Sequence, residues 1–422
     1  MKKQVFFLGL LCVLFAFSSC EKKVAKKYVV TVTVSADGES ISDLSDFSLT
    51  AQNESGVKLN PEEADSAKFI FTYNLVAGTY TFTGFASSDE FNFNGTQRVI
   101  VSEDTETSVV LTPSAKQASG IIFKEIYSYG VASWYFKDAF YELVNNSDEV
   151  QYLDGIILAC VDRGFGSDRT DWMDEEGNIP ADFYPLANYV MQFPGNGTEH
   201  PVQPGESILI AAQAYNHNTY DEETQTGRQL GENDAESPAG DLSKADWQLW
   251  IPTQETNYYN PSIPTLNVIS NQGGGIMFMP AVFGQPLLLA KLPEGTTAEA
   301  YVNDSSNYHS YAGSTKAVLG IPVDCVIDAV DIQRWGENSI VKVFHPAQDA
   351  GYTMANGNDE PMESFEDWSA SPLYCGKSLR RKCTMVTTDR AYFKDTNNST
   401  NDFIMGGQVA VPRRTFTEPD AE

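Results

Sequence analysis

Trp247, Trp250, Tyr258 and Tyr259 lie close together in a stretch otherwise rich in amides and hydroxyls. Flat rings stack on the apolar faces of sugars or peptides while neighbouring amides orient them, so these residue types suit a ligand-binding face. They equally suit the packing of a lobe onto a sandwich, and packing is the preferred reading of the two. Tyr215, Tyr220, Tyr301, Tyr308 and Tyr311 add to the aromatic load of the same region.

A second group is acidic: Asp162, Asp168, Asp171, Asp174, Glu175 and Glu176. Calcium needs several oxygens folded round one point, and Asp168, Asp171 and Asp174 recur every third residue rather than every second as an EF-hand loop requires. A solvated acidic loop is therefore preferred, with calcium the lesser reading. His200, His217, His309 and His345 are scattered and no CxxC pair exists, so a structural zinc site is not expected. Gly376-Lys377-Ser378 ends like a P-loop, yet Ser371 stands where the first glycine belongs. Gly205-Glu206-Ser207 lacks the second glycine of a nucleophile elbow, and no HExxH occurs. No cofactor is expected. Nothing marks a carboxylate pair, although the pair of a glycosidase can lie far apart in sequence.

The elements that would hold these residues are short strands. Val30, Val32 and Val34 alternate with Thr31 and Thr33, and the same period recurs at Phe47, Leu49 and Ala51, at Tyr80 with Phe82, and at Val109 with Leu111. Seven or so such strands with turn residues between them predict a β-sandwich over 28–113. Pro113 to Ser119 reads as a linker. The chain has 422 residues, long enough for two or three domains, and a formal net charge of -29 that excludes nucleic acid as a partner.

Ahead of the strands, Lys2 and Lys3 precede an apolar run from Val5 to Phe17 and then Ser18-Ser19-Cys20. A basic head, a run too short to be a stable membrane span and small residues before the cut define a secretory signal over 1–19. Cys20 after the small residues resembles a bacterial lipobox, which implies a lipidated first residue, a polar tether over 20–27 and a membrane partner reached through the lipid. Cys160, Cys325, Cys375 and Cys383 then remain, permitting one or two disulfides in an exported chain. Asp65-Ser66-Ala67 matches a short O-glycosylation pattern of exported Bacteroidetes proteins, with a plain surface turn as the alternative.

Three resemblances follow from longer motifs. Leu75 to Phe82 resembles a strand pair of carboxypeptidase-regulatory-like and related Ig-like modules, which implies a spacer. Phe123-Lys124-Glu125-Ile126-Tyr127, Tyr141 to Ser147, Tyr152-Leu153-Asp154-Gly155, Val202 to Ala211 and Cys325 to Val330 resemble the lamin-tail domain in order and spacing over 120–406. Glu142 is the exception in that pattern, a carboxylate in a strand expected to be half buried, and it reads as an acceptor for backbone groups that locks a neighbouring loop. With Gly376 to Lys382 and Asp395 to Phe403 added, the chain resembles an uncharacterised Bacteroidetes lipoprotein family, domain of unknown function 4876. That resemblance implies an outer-membrane lipoprotein, often with a TonB-dependent receptor as neighbour, and assigns no activity.

The expected architecture is all-β. An Ig-like or prealbumin-like sandwich is followed by a lamin-tail-like sandwich with insertions 161–186 and 216–319, the second long enough for its own lobe, and a C-terminal tail over 407–422. The expected function is a non-catalytic accessory or ligand-binding lipoprotein beside a TonB-dependent uptake system. A hydrolase of surface polymers and a structural adhesin or assembly subunit are the alternatives. After Cys20 only Glu21 is acidic before the lysines begin, so the surface face is only weakly favoured over the periplasmic one.

Overall fold

The computed structural model describes residues 25–53, 57–88, 91–115, 120–128, 130–131, 135–163, 170–175, 177–223, 225–232, 234–252, 259–273, 275, 277–278, 286–333, 341–354, 376–404 and 408–421. The signal segment, Cys20, Asp168, Tyr258 and Cys375 lie outside them. The chain is all-β, and among the described residues no helix is long and apolar enough to cross a membrane.

Eight strands between Lys27 and Ala115 join in one continuous sheet that folds into two layers. Lys27–Ala36 pairs antiparallel with Ile70–Val76 and parallel with Thr105 to Leu111. The last strand then changes layer, since Phe91 to Asn94 pairs with Thr112 to Ala115. Gly95 permits the change, because a Cβ there would meet the Val110 carbonyl oxygen at 2.2 Å. Val30, Val32 and Val34 point inward with Tyr73, Phe82, Phe93 and Leu111, as period-two alternation dictates. Two expected boundaries shift. Lys27 already belongs to the first strand, and Pro113 lies within the last strand, opposite Phe93, rather than in a linker.

The larger sandwich packs two sheets. One runs in the order Trp247–Gln248, Ser207–Ala211, Phe140–Asn145, Ile121–Tyr127, Lys377–Arg380, Gln408–Val409. The other runs Tyr308–His309, Val318–Pro322, Phe183–Gln192, Ile156–Val161, Leu287–Lys291, Val326–Val330, with Asn267–Asn271 also paired to Phe183–Gln192. Phe123, Tyr141, Leu158, Met191 and Leu289 fill the space between them. A further core of Ile157, Leu186, Leu288, Leu319 and Phe344 covers the second sheet's other face. Both faces being covered, Ile156–Val161 is buried at every position and reads as a continuous apolar run instead of an alternating one.

The expected lobe over 216–319 is not a separate body. Its Leu287–Lys291 segment lies inside the second sheet between Ile156–Val161 and Val326–Val330. The expected insertion 161–186 is shorter at its end, because Phe183 already opens a strand. The tail over 407–422 is part of the fold as well. A bulge in the pairing of Ile121–Tyr127 with Phe140–Asn145 brings Lys124, Glu125 and Glu142 to one face. The tail crosses that face, with Val411 N donating to Glu125 at 3.1 Å and Arg413 N to Glu142 at 3.0 Å. Arg380 then holds Asp420 with two bonds of 2.7 Å. Glu142 thus accepts a backbone donor from the tail and Lys124 Nζ at 2.7 Å. Burial raises its pKa, and the adjacent Lys124 opposes that rise.

Arg381 is the centre of a buried charge network. Its guanidinium meets both Asp328 oxygens at 3.0 Å, Asp395 at 3.2 Å and Asp402 at 3.4 Å. Burial works against its charge, but those carboxylates outweigh it and raise the pKa. Nearby, Asp349 accepts from the backbone N–H groups of Asp331, Ser399 and Gly351 at 2.7, 2.8 and 2.9 Å. The same region grips the first sandwich through Tyr352 OH to Gln52 at 2.5 Å, Asn94 to the Thr396 carbonyl at 2.8 Å and Thr96 to the Ala350 carbonyl at 2.6 Å.

Cys160, Cys325 and Cys383 are buried free thiols, which corrects the expectation of disulfides among these three. Cys160 packs between the sheets and Cys325 on the far face of the second, so a sheet separates them.

Candidate ligand-binding cleft

The Ser207–Ala211 strand hands the chain to Ala214, Tyr215 and Asn216, and the returning segment pairs with it where Asn216 bridges Asp241. Leu242 N donates to the Tyr215 carbonyl at 3.0 Å and His217 N to the Gly240 carbonyl at 2.8 Å. Trp247–Gln248 then runs parallel to Ser207–Ala211. Buried Gln248 donates to the carbonyls of Asn260 and Ile263 at 2.6 Å each, and Asn260 Nδ2 reaches the Ala214 carbonyl at 2.9 Å. These bonds tie Tyr259, Asn260 and Pro261 to the sheet edge. The short hairpin of Tyr220–Asp221 and Thr226–Gly227 forms the rim. Gly227, at φ 96°, is required there, since a Cβ would lie 2.0 Å from the Thr219 carbonyl oxygen.

The result is a cleft of about 310 Å³, whose lining includes Tyr215, Asn216, Asp221, Asp241, Tyr259 and Asn260. Tyr259 is 46% exposed, and the Trp250 ring packs against it, with centroids 4.6 Å apart and planes tilted by 40°. An exposed ring backed by a second ring is a rigid stacking platform, and the amides and hydroxyls beside it supply direction.

Sequence reasoning placed Trp247 in this group, and the structure removes it. Trp247 is only 5% exposed and packs edge-on against Phe193 at 5.2 Å and His200 at 4.9 Å. Trp250, an odd number of residues from Trp247 and so on the opposite face, is half buried and packs against Tyr259. The acidic loop shows no calcium geometry in its described part. Asp171 is exposed, and Asp174 spends its carboxylate on Asn178, at 2.7 Å to the backbone and 3.0 Å to the side chain. Asp154, Glu199 and His200 do converge within 4.8 Å. The Asp154 carboxylate, however, is occupied by the backbone N–H groups of Gly197, Glu199 and His200. Burial favours its protonation, but those three bonds outweigh it and lower the pKa. Ser66 sits exposed in the turn after Glu63–Asp65, beside the Lys68–Asp65 ion pair.

A polar cluster that sequence reasoning missed lies behind the cleft. His217 is fully buried, with Nε2 donating to the Gln213 carbonyl at 3.1 Å and Nδ1 accepting from Tyr135 OH at 2.7 Å. Burial lowers its pKa to about 3, so the ring stays neutral and is a strut rather than a proton carrier. Asp138 Oδ2 accepts from Ser237 at 2.6 Å and Tyr127 at 2.9 Å, while Oδ1 has no hydrogen-bond partner among the described residues. Burial pushes its pKa up to about 6. Ser237, His217 and Asp138 do not form a triad, because each bond of His217 goes elsewhere.

Residues 203–409 match the model of a family described as protein of unknown function (DUF4876), a span that contains the whole cleft and the Arg381 network. Among solved structures, the chain is similar to a DUF4876 family protein from Bacteroides thetaiotaomicron VPI-5482. The identity is 26% and the TM-score 0.55, with 92% of this chain and 97% of that chain covered. No curated protein matches. The resemblance drawn from the Gly376 to Lys382 and Asp395 to Phe403 motifs is therefore shown.

Proposed function

We propose that this chain, similar to a family without an assigned activity, is a lipid-anchored, non-catalytic binding protein of the outer membrane that captures saccharides beside a TonB-dependent uptake system. The cleft over Tyr259 is its binding site. The observation that carries this reading is the exposed Tyr259 ring, fixed from behind by Trp250 and bordered by Asn216, Asn260 and Asp241. Cys20 supplies the membrane attachment, and the first sandwich holds the cleft-bearing domain away from the lipid. Ser66, exposed in its turn, is available for glycan attachment.

The hydrolase alternative has one observation in its favour, the presence of Asp221 and Asp241 in the same cleft. An acid and base couple needs one carboxyl kept protonated by an apolar setting. Both aspartates are exposed, and each gives one oxygen to a backbone N–H two residues on, Glu223 and Ser243, at 2.9 Å. Binding without turnover fits this geometry better.

The test is affinity electrophoresis of the mature chain in gels containing neutral and charged polysaccharides, run beside a Tyr259→Ala variant, together with affinity purification from membranes of cells carrying a tagged copy. Retardation that Tyr259→Ala abolishes, with an outer-membrane receptor recovered, supports the proposal. Mobility unaffected by every polysaccharide rejects the binding role, and recovery of no receptor rejects the partner.

A further inference from the structure

The cleft carries charge of one sign. Asp221 and Asp241 line it, and among the described residues no lysine or arginine does. Arg228, next to the rim hairpin, is directed elsewhere: its guanidinium lies over the Tyr135 ring at 4.7 Å and donates to the Ala235 carbonyl at 2.8 Å. Asp241 is exposed and uses Oδ1 for Ser243 N, which leaves Oδ2 to a ligand. Asn216 uses Oδ1 for Asn218 N at 2.9 Å, which leaves its Nδ2 donors. Beside the Tyr259 ring the cleft therefore presents a carboxylate acceptor and an amide donor, and its aliphatic surface among the described residues is small, from Ala214, Pro261 and the methyls of Thr219 and Thr226.

Resting on the binding role proposed above, we infer that the cleft selects saccharides by charge, taking amine-bearing hexose units first, neutral ones less tightly, and rejecting uronates and sulfated sugars. A hexose ring lies on Tyr259, its hydroxyls meet Asn216 and Ser243, and its ammonium meets Asp241. An anionic unit in the same place faces the Asp241 carboxylate, with no lysine or arginine among the described lining residues. An extended peptide is the weaker fit, since reading one requires a row of side-chain pockets, and Ala214 with Pro261 makes none. The volume, at the lower end of the roughly 300–1,000 Å³ usual for small-molecule sites, suits one or two sugar units.

Calorimetric titration at about pH 6 and low salt tests this, using glucosamine oligomers, their N-acetylated forms, galacturonate oligomers and a lysine-rich peptide. Glucosamine oligomers are expected to bind about two- to five-fold tighter than the acetylated ones, in the range of exposed ion pairs. Asp241→Asn, at an exposed turn, should bring the glucosamine and acetylated oligomers to equal affinity, and high salt should do the same. Galacturonate bound as tightly as glucosamine, and sensitive to Tyr259→Ala, overturns the charge selection but leaves the binding role standing. A Tyr259-dependent peptide that outcompetes every sugar overturns the saccharide class. No ligand sensitive to Tyr259→Ala removes the binding role itself.

Discussion

Trp247→Ala and Tyr259→Ala are expected to fail in opposite ways. Trp247 fills the space between the sheets, and truncating it leaves a cavity costing about 3–5 kcal/mol. Tyr259 is half exposed and contributes about 1 kcal/mol or less to folding, so its loss should abolish ligand binding with little change in the urea midpoint. Equal destabilisation by both would contradict the assignment of Tyr259 as a platform. The distinction was partly legible in the sequence, because Trp247, Leu249 and Ile251 alternate as one inward face and Trp250 falls on the other. What the sequence could not give is which ring beside Trp250 stays uncovered. That depends on the Gln248 and Asn260 bonds, which join residues twelve positions apart.

Asp138 sets a pH dependence at the same scale. Its folded pKa of about 6 lies above the ordinary aspartate value of 3.8, so between those values the folded state holds a proton that the unfolded state has released. The penalty for burying the charge is full above pH 6 and is lost as pH falls toward 4, an increment on the order of 3 kcal/mol. Urea unfolding of Asp138→Asn should lack this gain on acidification while the unsubstituted chain shows it. Identical pH profiles would contradict the buried, half-partnered carboxylate.

Among elements, the C-terminal strap and the Leu287–Lys291 strand were the least legible. Leu287-Leu288-Leu289-Ala290 is an apolar run of strand length, but enclosure on both faces removes the alternation that marks a strand, and it was absorbed into an expected insertion. Among the described residues the strap joins a ladder at Gln408–Val409; Ala410 N and Asp420 N bond the Gly376 and Cys383 carbonyls, and side chains of Glu125, Glu142 and Arg380 hold the stretch between, which no local pattern announces. A chain ending at residue 406 takes Arg414 from Glu125 and Asp420 from Arg380, while Glu142 keeps Lys124, and each lost ion pair costs about 3–5 kcal/mol. Its melting temperature should fall well below that of the full chain, or it should not fold. A truncated chain melting within a few degrees of the full one would show that the strap is dispensable.

For the whole molecule, the two sandwiches are joined by buried bonds rather than by a bare linker. The all-β class could be read from strand periodicity alone, whereas this joint could not, since Gln52 and Tyr352 are 300 positions apart. The motifs behind the family resemblance, Gly376 to Lys382 and Asp395 to Phe403, prove to be the charge network that builds the joint and the core, not part of the proposed cleft site. Calorimetric unfolding should show one cooperative transition, and Asn94→Ala combined with Tyr352→Phe should split it by uncoupling the first sandwich. Two resolved transitions in the unsubstituted chain would contradict a rigid spacer.

Ligand entry into the Tyr259 cleft can be followed by hydrogen–deuterium exchange of the mature chain with and without saturating saccharide. Protection is expected at residues 214–227, 241–243 and 259–261, and it should vanish in Tyr259→Ala. Protection confined to the groove between the sandwiches, around Arg98, Ile179 and His345, would place the ligand elsewhere and contradict the account.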